Sequence, residues 1–451
     1  MRAMISSTII FALLILQLGG HPEDGYFITA DLISNSPSAD IREASLVTLA
    51  NVTGHSGFLT VDEKYNTNFF FWYFPPANNL EKAPFILRLA GMNTTVFQDL
   101  FYGTGPYRLD ESLNVAPSKY SWHMFSHLLY IDYLPGRGFS FSDGGREHRI
   151  NYLDIANNLQ VALTMFFDVF DNLKVDEINL TGDSQGAVAA VTLASKLLNS
   201  KLNSTSKENG NRAMGLRSVL FLSGVLGLEE QWYRADLYED FGLFLSKGQE
   251  KHFRDLERLN MEFMTSENYD AVLDLSVCMT GFRDNPCFER ATGRRTPIHM
   301  LFDEPTYIYA DFVKQPHIKQ MLNVGNRGYN VGPRGLTVDQ WVPVWTWTHV
   351  RNVTTTLIED YEVIFMFGQF DMTVSYASSA TMVDSFEWSG SDSFKNSSRI
   401  LLRGASDEIQ AYVRSYDSLT EIMVTDSGHT SACDQSRKVW VLAKSIFSNL
   451  T

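Results

Sequence analysis

The stretch Asn179–Ala190, "NLTGDSQGAVAA", decides the fold, because it joins a short apolar strand to an alanine-rich helix through one sharp turn. The turn reads G-x-S-x-G from Gly182 to Gly186, with Ser184 at its centre. Glycine on both sides suits a strand-to-helix turn that leaves no room for Cβ atoms. The pattern predicts that Ser184 is a nucleophile exposed at the edge of a sheet. A serine in an ordinary loop is the alternative, and partner residues elsewhere must decide between them.

Strands that alternate with helices surround this turn. Several of the predicted strands are almost continuously apolar and do not alternate apolar with polar residues, which is typical of strands covered on both faces. Apolar residues at helical spacing predict helices over 152–170, 187–198 and 434–447, with Asp434 as the N-cap of the last. The fold class is therefore α/β, with a mostly parallel central sheet and helices on both faces. The runs that predict strands are 56–61, 68–74, 84–91, 127–134, 177–182, 218–224, 361–368 and 420–426.

The alternation stops between residues 229 and 320, where the chain is charged, rich in Phe and Met, and helical in pattern. We interpret this segment as a helical cap inserted into the α/β core. The core then has two parts, residues 21–228 and residues 321–451.

Two strand ends supply the partners that a nucleophilic serine needs. Asp371 follows the run 361–368, and His429 follows the run 420–426. The carboxyl ends of parallel strands meet at one edge of a sheet, which brings such residues together. The order Ser, Asp, His predicts that His429 takes the proton of Ser184 and that Asp371 orients the imidazole. Taken singly, Asp371 also suits a turn, and His429 also suits a surface loop.

Backbone N–H groups near Ser184 complete the predicted reaction centre. Gln185 follows the serine at the start of the helix, where the helix dipole adds positive potential. The loop after the strand at 84–91, at Gly91 and Met92, is the predicted source of a second donor. Together these groups predict an oxyanion site for acyl transfer.

The N-terminus predicts export of the chain. Arg2 precedes "IIFALLILQL", an apolar run too short to span a bilayer, and a polar segment follows Gly20. We interpret residues 1–20 as a signal peptide rather than a core helix. No other segment is apolar over a sufficient length, so no membrane span is predicted. Seven N-x-S/T sequons occur in the chain, and the one at Asn179 falls in a predicted core strand. The other six lie outside such strands and are the predicted glycosylation sites: Asn51, Asn93, Asn203, Asn352, Asn396 and Asn449.

Charge and cysteine content narrow the possible partners. The net charge of −15 argues against nucleic acid and anionic membranes as partners. Cys278 and Cys287 are close in a turn-rich segment, and we expect them to form a disulfide that leaves Cys433 unpaired. No metal site is predicted, because neither C-x-x-C nor clustered histidine accompanies the cysteines. No cofactor is predicted either.

The chain resembles the serine carboxypeptidases, particularly their vitellogenic-like branch. The resemblance implies an α/β-hydrolase fold with a helical cap that contains the cysteine pair. It also implies a glycoprotein, secreted or lysosomal, that removes C-terminal residues from peptides, and homodimers occur among the relatives. The blocks that carry the resemblance are 55–76, "GPY" at 105–107, "YSW" at 120–122, "YIDYLPGRGFSFSD" at 130–143, "GQFD" at 368–371 and "GHTSACDQ" at 428–435.

The chain departs from the family where chemistry and specificity are set. The family's oxyanion loop has a G-G-P-G core, whereas this chain has "LAGMNTT", in which Met92 and Asn93 carry side chains. The family holds the C-terminal carboxylate of the substrate with three polar side chains. The matching positions here are Ala90, Gly103 and Asp183, so two of the three polar groups are lost. We expect weaker recognition of a free C-terminus.

Two hypotheses follow from these departures. The triad favours a serine carboxypeptidase-like hydrolase, with an esterase or acyltransferase as a variant on the same fold. The altered oxyanion loop favours a catalytically impaired protein that binds a ligand or partner. Arg88, which stands where the family usually has tryptophan, is unexplained by the sequence.

Overall fold

The computed structural model describes residues 24–78, 80, 82–91, 95–143, 151–203, 215–226, 229–265, 286–293, 299, 308–330 and 347–449. The strands in these residues are β1 Phe27–Ile28, β2 Leu46–Leu49, β3 Val52–Asp62, β4 Thr67–Phe74, β5 Phe85–Leu89, β6 Tyr107–Leu109, β7 Val115–Pro117, β8 His127–Asp132, β9 Glu177–Asp183, β10 Gly215–Leu222, β11 Glu362–Gly368, β12 Ile400–Arg403, β13 Ile409–Tyr416 and β14 Leu419–Val424.

The α-helices are named in the same way, in chain order. They are α1 Ala30–Asn35, α2 Ser38–Ala44, α3 Val96–Tyr102, α4 Tyr152–Val169, α5 Gly186–Asn203, α6 Ala235–Asp240, α7 Lys247–Thr265, α8 Pro286–Thr292, α9 Tyr309–Val313, α10 Pro316–Met321, α11 Trp347–Asp360, α12 Tyr376–Asp384, α13 Ser391–Lys395, α14 Ser431–Asp434 and α15 Ser436–Asn449. Short 3₁₀ helices lie at Trp122–Met124 and Glu229–Trp232.

One large mixed sheet organises the described residues, in the strand order β1-β3-β4-β8-β5-β9-β10-β11-β14-β13-β12, with β2 beside β3. The pairs from β8 through β5, β9, β10 and β11 to β14 are all parallel. Each of the eight predicted runs overlaps a different strand of this sheet, in chain order β3, β4, β5, β8, β9, β10, β11 and β14. The predicted α/β class with a mostly parallel centre is confirmed.

Both faces of the sheet are covered by helices, which explains why its strands are apolar throughout. In β4, Phe69, Phe71 and Tyr73 point into one apolar core, and the alternate residues from Phe70 to Phe74 point into the other. Helices α4, α5 and α11 cover the first face, and α3 and α15 cover the second. Burial of each such Phe side chain stabilises the folded state by roughly 1.5–3 kcal/mol.

The described part of residues 229–320 is mostly helical, and it contributes to three apolar clusters, of which the smallest is Trp232 with Met261 and Phe263. Tyr238 of α6, Phe253 of α7 and Ala291 of α8 form a small cluster with Met372. Helices α9 and α10 instead pack into the second large core. The boundaries 229 and 320 stay predictions. Within the described ranges, no helix combines the length and apolarity that crossing a bilayer requires.

The N-cap predicted for the last helix was wrong. Helix α15 begins at Ser436, two residues after Asp434. The Asp434 carboxylate accepts a hydrogen bond from the Gly428 N–H at 2.8 Å instead. The residue therefore supports the loop that carries His429.

Candidate active site

The turn between β9 and α5 holds Ser184 in a strained conformation. Its φ of 50° lies in the left-handed region, which costs a non-glycine residue of order 1 kcal/mol or more. A Cβ atom on Gly182 would lie 2.5 Å from Ala187 Cα, and one on Gly186 would overlap Leu89 O. Both glycines are thus required by close backbone packing. The Ser184 N–H donates to Leu222 O at 3.0 Å, which fixes the turn to β10.

The three residues predicted to act together are joined by hydrogen bonds. His429 Nε2 lies 3.0 Å from Ser184 Oγ, and His429 Nδ1 lies 2.9 Å from Asp371 Oδ2. The other oxygen of Asp371 accepts the N–H groups of Thr373 and Val374, each at 2.8 Å. Asp371 is fully buried, so these two N–H groups replace the hydrogen bonds that its Oδ1 would otherwise make to water. The arrangement can orient an imidazole with its proton on Nδ1 and its lone pair towards Ser184.

Two loops that follow β11 and β14 hold this geometry by packing against each other. A Cβ atom on Gly368 would overlap Gly428 O, so the strand end lies directly against the histidine loop. The Phe370 N–H donates to Ser427 O at 2.7 Å. Tyr238 in the segment 229–320 donates its hydroxyl to Met372 O at 2.7 Å. Helix α6 therefore supports the loop that carries Asp371.

The predicted oxyanion residues are placed in part. A Cβ atom on Gly91 would lie 2.9 Å from Ser184 Cβ and 3.5 Å from its Oγ, so this loop backbone packs against the serine. Tyr133 Oη donates to Ala90 O at 2.9 Å, and Arg137 Nη1 donates to Gly91 O at 3.3 Å. Gln185 is buried at the start of α5. Met92 and Asn93 lie outside the described residues.

A small cavity lies beside the strand-to-helix turn at Ser184, and one of the three predicted substrate-binding residues, Asp183, lines it. Ala90 and Gly103 do not line it. Burial raises the pKa of Asp183 to about 6, against the opposing effect of Arg88. The cavity is lined by Gln98, Asp99, Asp183, Thr430, Ala432 and Cys433.

Arg88 and Asp99 form a buried ion pair that the sequence did not reveal. Arg88 Nε and Nη2 lie 2.9 and 2.8 Å from Asp99 Oδ2, and its Nη1 donates to Thr181 Oγ1 at 3.2 Å. Its guanidinium also lies over the Trp122 ring, 5.2 Å from the centroid. A side chain on Gly103 would overlap Asp99 Oδ1, so this carboxylate occupies the space that Gly103 leaves open. A charged residue inside an apolar strand requires a counter-charge, and that was the available signal.

The known proteins that match this chain point to one family. A family model described as serine carboxypeptidase matches residues 46–449. The chain belongs to the serine carboxypeptidase family. The predicted resemblance is thereby confirmed, including its vitellogenic-like branch, because the similar proteins carry venom, vitellogenic and CPVL names.

Several relatives cover most of the chain. The venom serine carboxypeptidase of Apis mellifera is 26% identical, over 94% of this chain and 91% of its own length. The probable serine carboxypeptidase CPVL of Homo sapiens is 28% identical, over 87% of this chain and 83% of its own. The crystal structure of Kex1, a prohormone-processing carboxypeptidase from Saccharomyces cerevisiae, superposes with a TM-score of 0.75 at 17% identity, covering 90% of this chain and 96% of that one. The chain described here therefore has the serine carboxypeptidase fold.

The structure describes some of the predicted glycosylation and cysteine sites but not all of them. Asn51, Asn352 and Asn396 are exposed, whereas Asn179 is buried and donates to Phe85 O at 3.0 Å. Cys433 carries a free thiol. No group of three or more potential metal ligands is found within the described ranges. Residues 1–20, Asn93 and Cys278 lie outside the described residues, as do the side chains of Asn203, Cys287 and Asn449.

Proposed function

We propose that the protein is a serine-type carboxypeptidase that removes C-terminal residues from peptides. The observation that carries the proposal is the hydrogen-bonded series Ser184–His429–Asp371 at a strained strand-to-helix turn, in a chain of the serine carboxypeptidase family. Ser184 is the nucleophile, His429 is the general base and acid, and Asp371 holds the imidazole in its reactive tautomer.

The reaction proceeds through an acyl-enzyme. Ser184 Oγ attacks the scissile carbonyl while its proton passes to His429 Nε2, and the carbonyl oxygen becomes an oxyanion. The Gln185 N–H and the loop at Gly91 and Met92 are the proposed donors to that oxyanion. The His429 proton then passes to the leaving amine, and the C–N bond breaks. A water molecule then attacks the ester carbonyl while its proton passes to His429. His429 returns this proton to Ser184 Oγ as the ester bond breaks, which releases the shortened peptide.

The cavity beside the strand-to-helix turn at Ser184 is the proposed site for the end of the substrate. Asp183 provides a carboxyl group there, and the positions of Ala90 and Gly103 provide no polar side chain. Recognition of a free C-terminus is therefore weaker than in relatives with three polar groups. Kex1 is described as a prohormone-processing carboxypeptidase, which supports a peptide substrate here.

We further propose export and modification of the chain. Residues 1–20 act as a signal peptide, and the mature protein is secreted or enters the lysosomal lumen. The exposed Asn51, Asn352 and Asn396 accept glycans, as do the three sequons whose side chains are not described. Cys278 and Cys287 form a disulfide. A homodimer is a further proposal that rests on relatives alone.

Labelling with a fluorophosphonate at pH 5 and pH 7 tests the nucleophile. We expect the folded protein to be labelled and the Ser184→Ala and His429→Ala variants to remain unlabelled. Ser223→Ala is the matched control, because Ser223 also follows a strand and has a positive φ, of 44°, but is fully buried. Absence of labelling in folded wild-type protein would contradict the proposal.

A catalytically impaired binding protein is the second candidate function. The side chains of Met92 and Asn93 in the oxyanion loop favour it, since the family uses glycine there. The loss of one oxyanion donor reduces kcat about 10²–10³-fold. Labelled protein that hydrolyses esters but not peptides would instead indicate an esterase or acyltransferase.

A further inference from the structure

Two buried side chains hold the backbone of the loop that follows β5. Tyr133 Oη donates to Ala90 O at 2.9 Å, and Arg137 Nη1 donates to Gly91 O at 3.3 Å. The same loop packs against the nucleophile, because a Cβ atom on Gly91 would lie 3.5 Å from Ser184 Oγ. The Arg137 guanidinium and the Ser184 hydroxyl therefore lie next to the same residue, Gly91.

The two carbonyl groups begin the peptide units that carry the N–H groups of Gly91 and Met92, which are the proposed oxyanion donors from this loop. A hydrogen bond to the carbonyl of a peptide unit polarises that unit and makes its N–H a stronger donor. Because the unit is planar, the same bond also limits its rotation. Tyr133 and Arg137 are thus placed to act on both proposed donors.

Arg137 is a buried cation that no ion pair compensates among the described residues. It is 5% exposed, and its Nε and Nη2 atoms have no hydrogen-bond partner in that part of the chain. Burial lowers the pKa of Arg137 to about 10, so the guanidinium is charged at neutral and acidic pH. The charge of Asp132 acts on Arg137, but burial raises the pKa of Asp132 to about 7. Below that pH, most Asp132 carboxyl groups are neutral and leave the cation uncompensated.

The backbone that carries Arg137 is fixed by hydrogen bonds on both sides. The Arg137 N–H donates to Leu134 O at 3.1 Å, and the Ser140 N–H donates to Arg137 O at 2.9 Å. Asn330 Nδ2 donates to Gly136 O at 2.7 Å, which holds the preceding turn. A charged group held in this way needs little reorganisation when the opposite charge develops beside it.

We propose that Arg137 and Tyr133 are positioning residues for the oxyanion site, and that the Arg137 charge stabilises the oxyanion through the Gly91 peptide. The inference rests on the proposed function and adds two residues to its machinery. A buried charge without a partner costs free energy in the resting protein. The carbonyl oxygen of the substrate becomes negative only during the reaction, so the cation stabilises the transition state more than the bound substrate. Both side chains act through the loop backbone and not by contact with the substrate.

The rate of fluorophosphonate labelling tests the inference, because attack of Ser184 on phosphorus develops negative charge on the phosphoryl oxygen. Arg137→Met should reduce the second-order rate constant about 10²-fold, as for a lost oxyanion donor. Tyr133→Phe removes one neutral hydrogen bond and should reduce the rate constant about 3–10-fold. Arg137→Lys keeps the charge and should stay within about tenfold of the wild-type rate constant.

Peptide hydrolysis separates positioning from substrate binding. We expect kcat of Arg137→Met to fall about as much as its labelling rate constant, while KM stays within about threefold of the wild-type value. The matched controls lose the same kinds of bond outside the site. Arg42→Met removes a guanidinium bond to Val169 O, and Tyr26→Phe removes a buried hydroxyl bond to Ile41 O. Both controls should label at the wild-type rate.

A merely structural role gives a different result. Loss of Arg137 would then lower the unfolding temperature but leave the labelling rate of the folded protein at that of Arg42→Met, or would raise KM with kcat unchanged. Either result overturns the inference, as does an Arg137→Lys protein that labels as slowly as Arg137→Met. Arg137→Gln keeps an amide donor without the charge, and it gives the same test if Arg137→Met does not fold.

The wild-type protein distinguishes the two possible failures. An unlabelled, folded wild-type protein would overturn the proposed function and this inference with it. A labelled wild-type protein whose Arg137 and Tyr133 variants label at the rate of their controls would overturn this inference alone.

Discussion

The two edges of the central sheet, at the carboxyl and amino ends of its parallel strands, both contain histidines, which are buried at the carboxyl edge and half-buried at the amino edge. At the carboxyl edge, His429 lies between the Ser184 hydroxyl and the Asp371 carboxylate. At the amino edge, His127 Nδ1 lies 2.7 Å from the Tyr73 hydroxyl, and His55 stacks on the same tyrosine. The amino-edge residues line a groove of about 580 Å³. Burial lowers the pKa of both His55 and His127 to about 4.

The difference shows that the chemistry of an imidazole depends on its partners more than on its burial. A carboxylate stabilises the imidazolium that forms when a neighbouring hydroxyl gives up its proton. A phenol provides no such charge, so His127 stays neutral and its role is to pack and to hydrogen-bond. Proton transfer is therefore expected at the carboxyl edge and not at the amino edge.

Substitution of one histidine at each edge gives the largest expected contrast. His429→Gln should reduce kcat by about 10⁴-fold or more, because Ser184 loses its base. His127→Gln should leave kcat within a factor of about two, because the glutamine amide can still bond to Tyr73. The measurement is peptide hydrolysis by both purified variants, beside the wild-type protein.

The folded state of each variant is the control for this comparison. Circular dichroism and thermal unfolding should show that both variants keep the fold. A folded His127→Gln protein that loses activity as strongly as His429→Gln would remove the distinction between the edges.

A methyl group next to Ser184 should have the next largest effect. In Gly91→Ala the new Cβ would lie 2.9 Å from Ser184 Cβ, so the loop backbone must move. We expect kcat to fall about 10²–10³-fold, as for a lost oxyanion donor, with a smaller change in KM. Gly328→Ala is the matched control, because nothing lies within 4 Å of a Cβ atom there. Equal kcat values for the two variants would show that Gly91 has no part in the site.

The same contrast explains what the sequence could predict. The strands of the sheet centre were predictable because both their faces are buried, which gives continuous apolar runs such as 68–74. The antiparallel strands β12 and β13 were missed, because β12 is exposed along its whole length and carries no burial pattern. Ser184, Asp371 and His429 were predictable, since each follows an apolar strand at the same edge.

The ion pair of Arg88 and Asp99 was not predictable in the same way. Gly103 matches a polar position of the family but has no polar side chain itself. The carboxylate in that space comes from Asp99, four residues earlier on α3. Sequence position and spatial position differ by one helical turn there, and only the fold relates them. Arg88 was the visible sign, because a buried charge requires a partner.

The smallest expected difference between the two edges is in the pH dependence of the free energy of unfolding. The lowered pKa of His55 and His127 means that the unfolded chain, with a histidine pKa near 6.5, binds protons that the folded chain does not. Each of them contributes stability that is present above about pH 6.5 and is lost as the pH falls towards 4. His127→Gln should reduce the slope of the unfolding free energy against pH by up to about 1.4 kcal/mol per unit in that window. Urea unfolding between pH 4.5 and pH 7 measures this slope, and an unchanged slope would mean that His127 takes up protons in the folded protein.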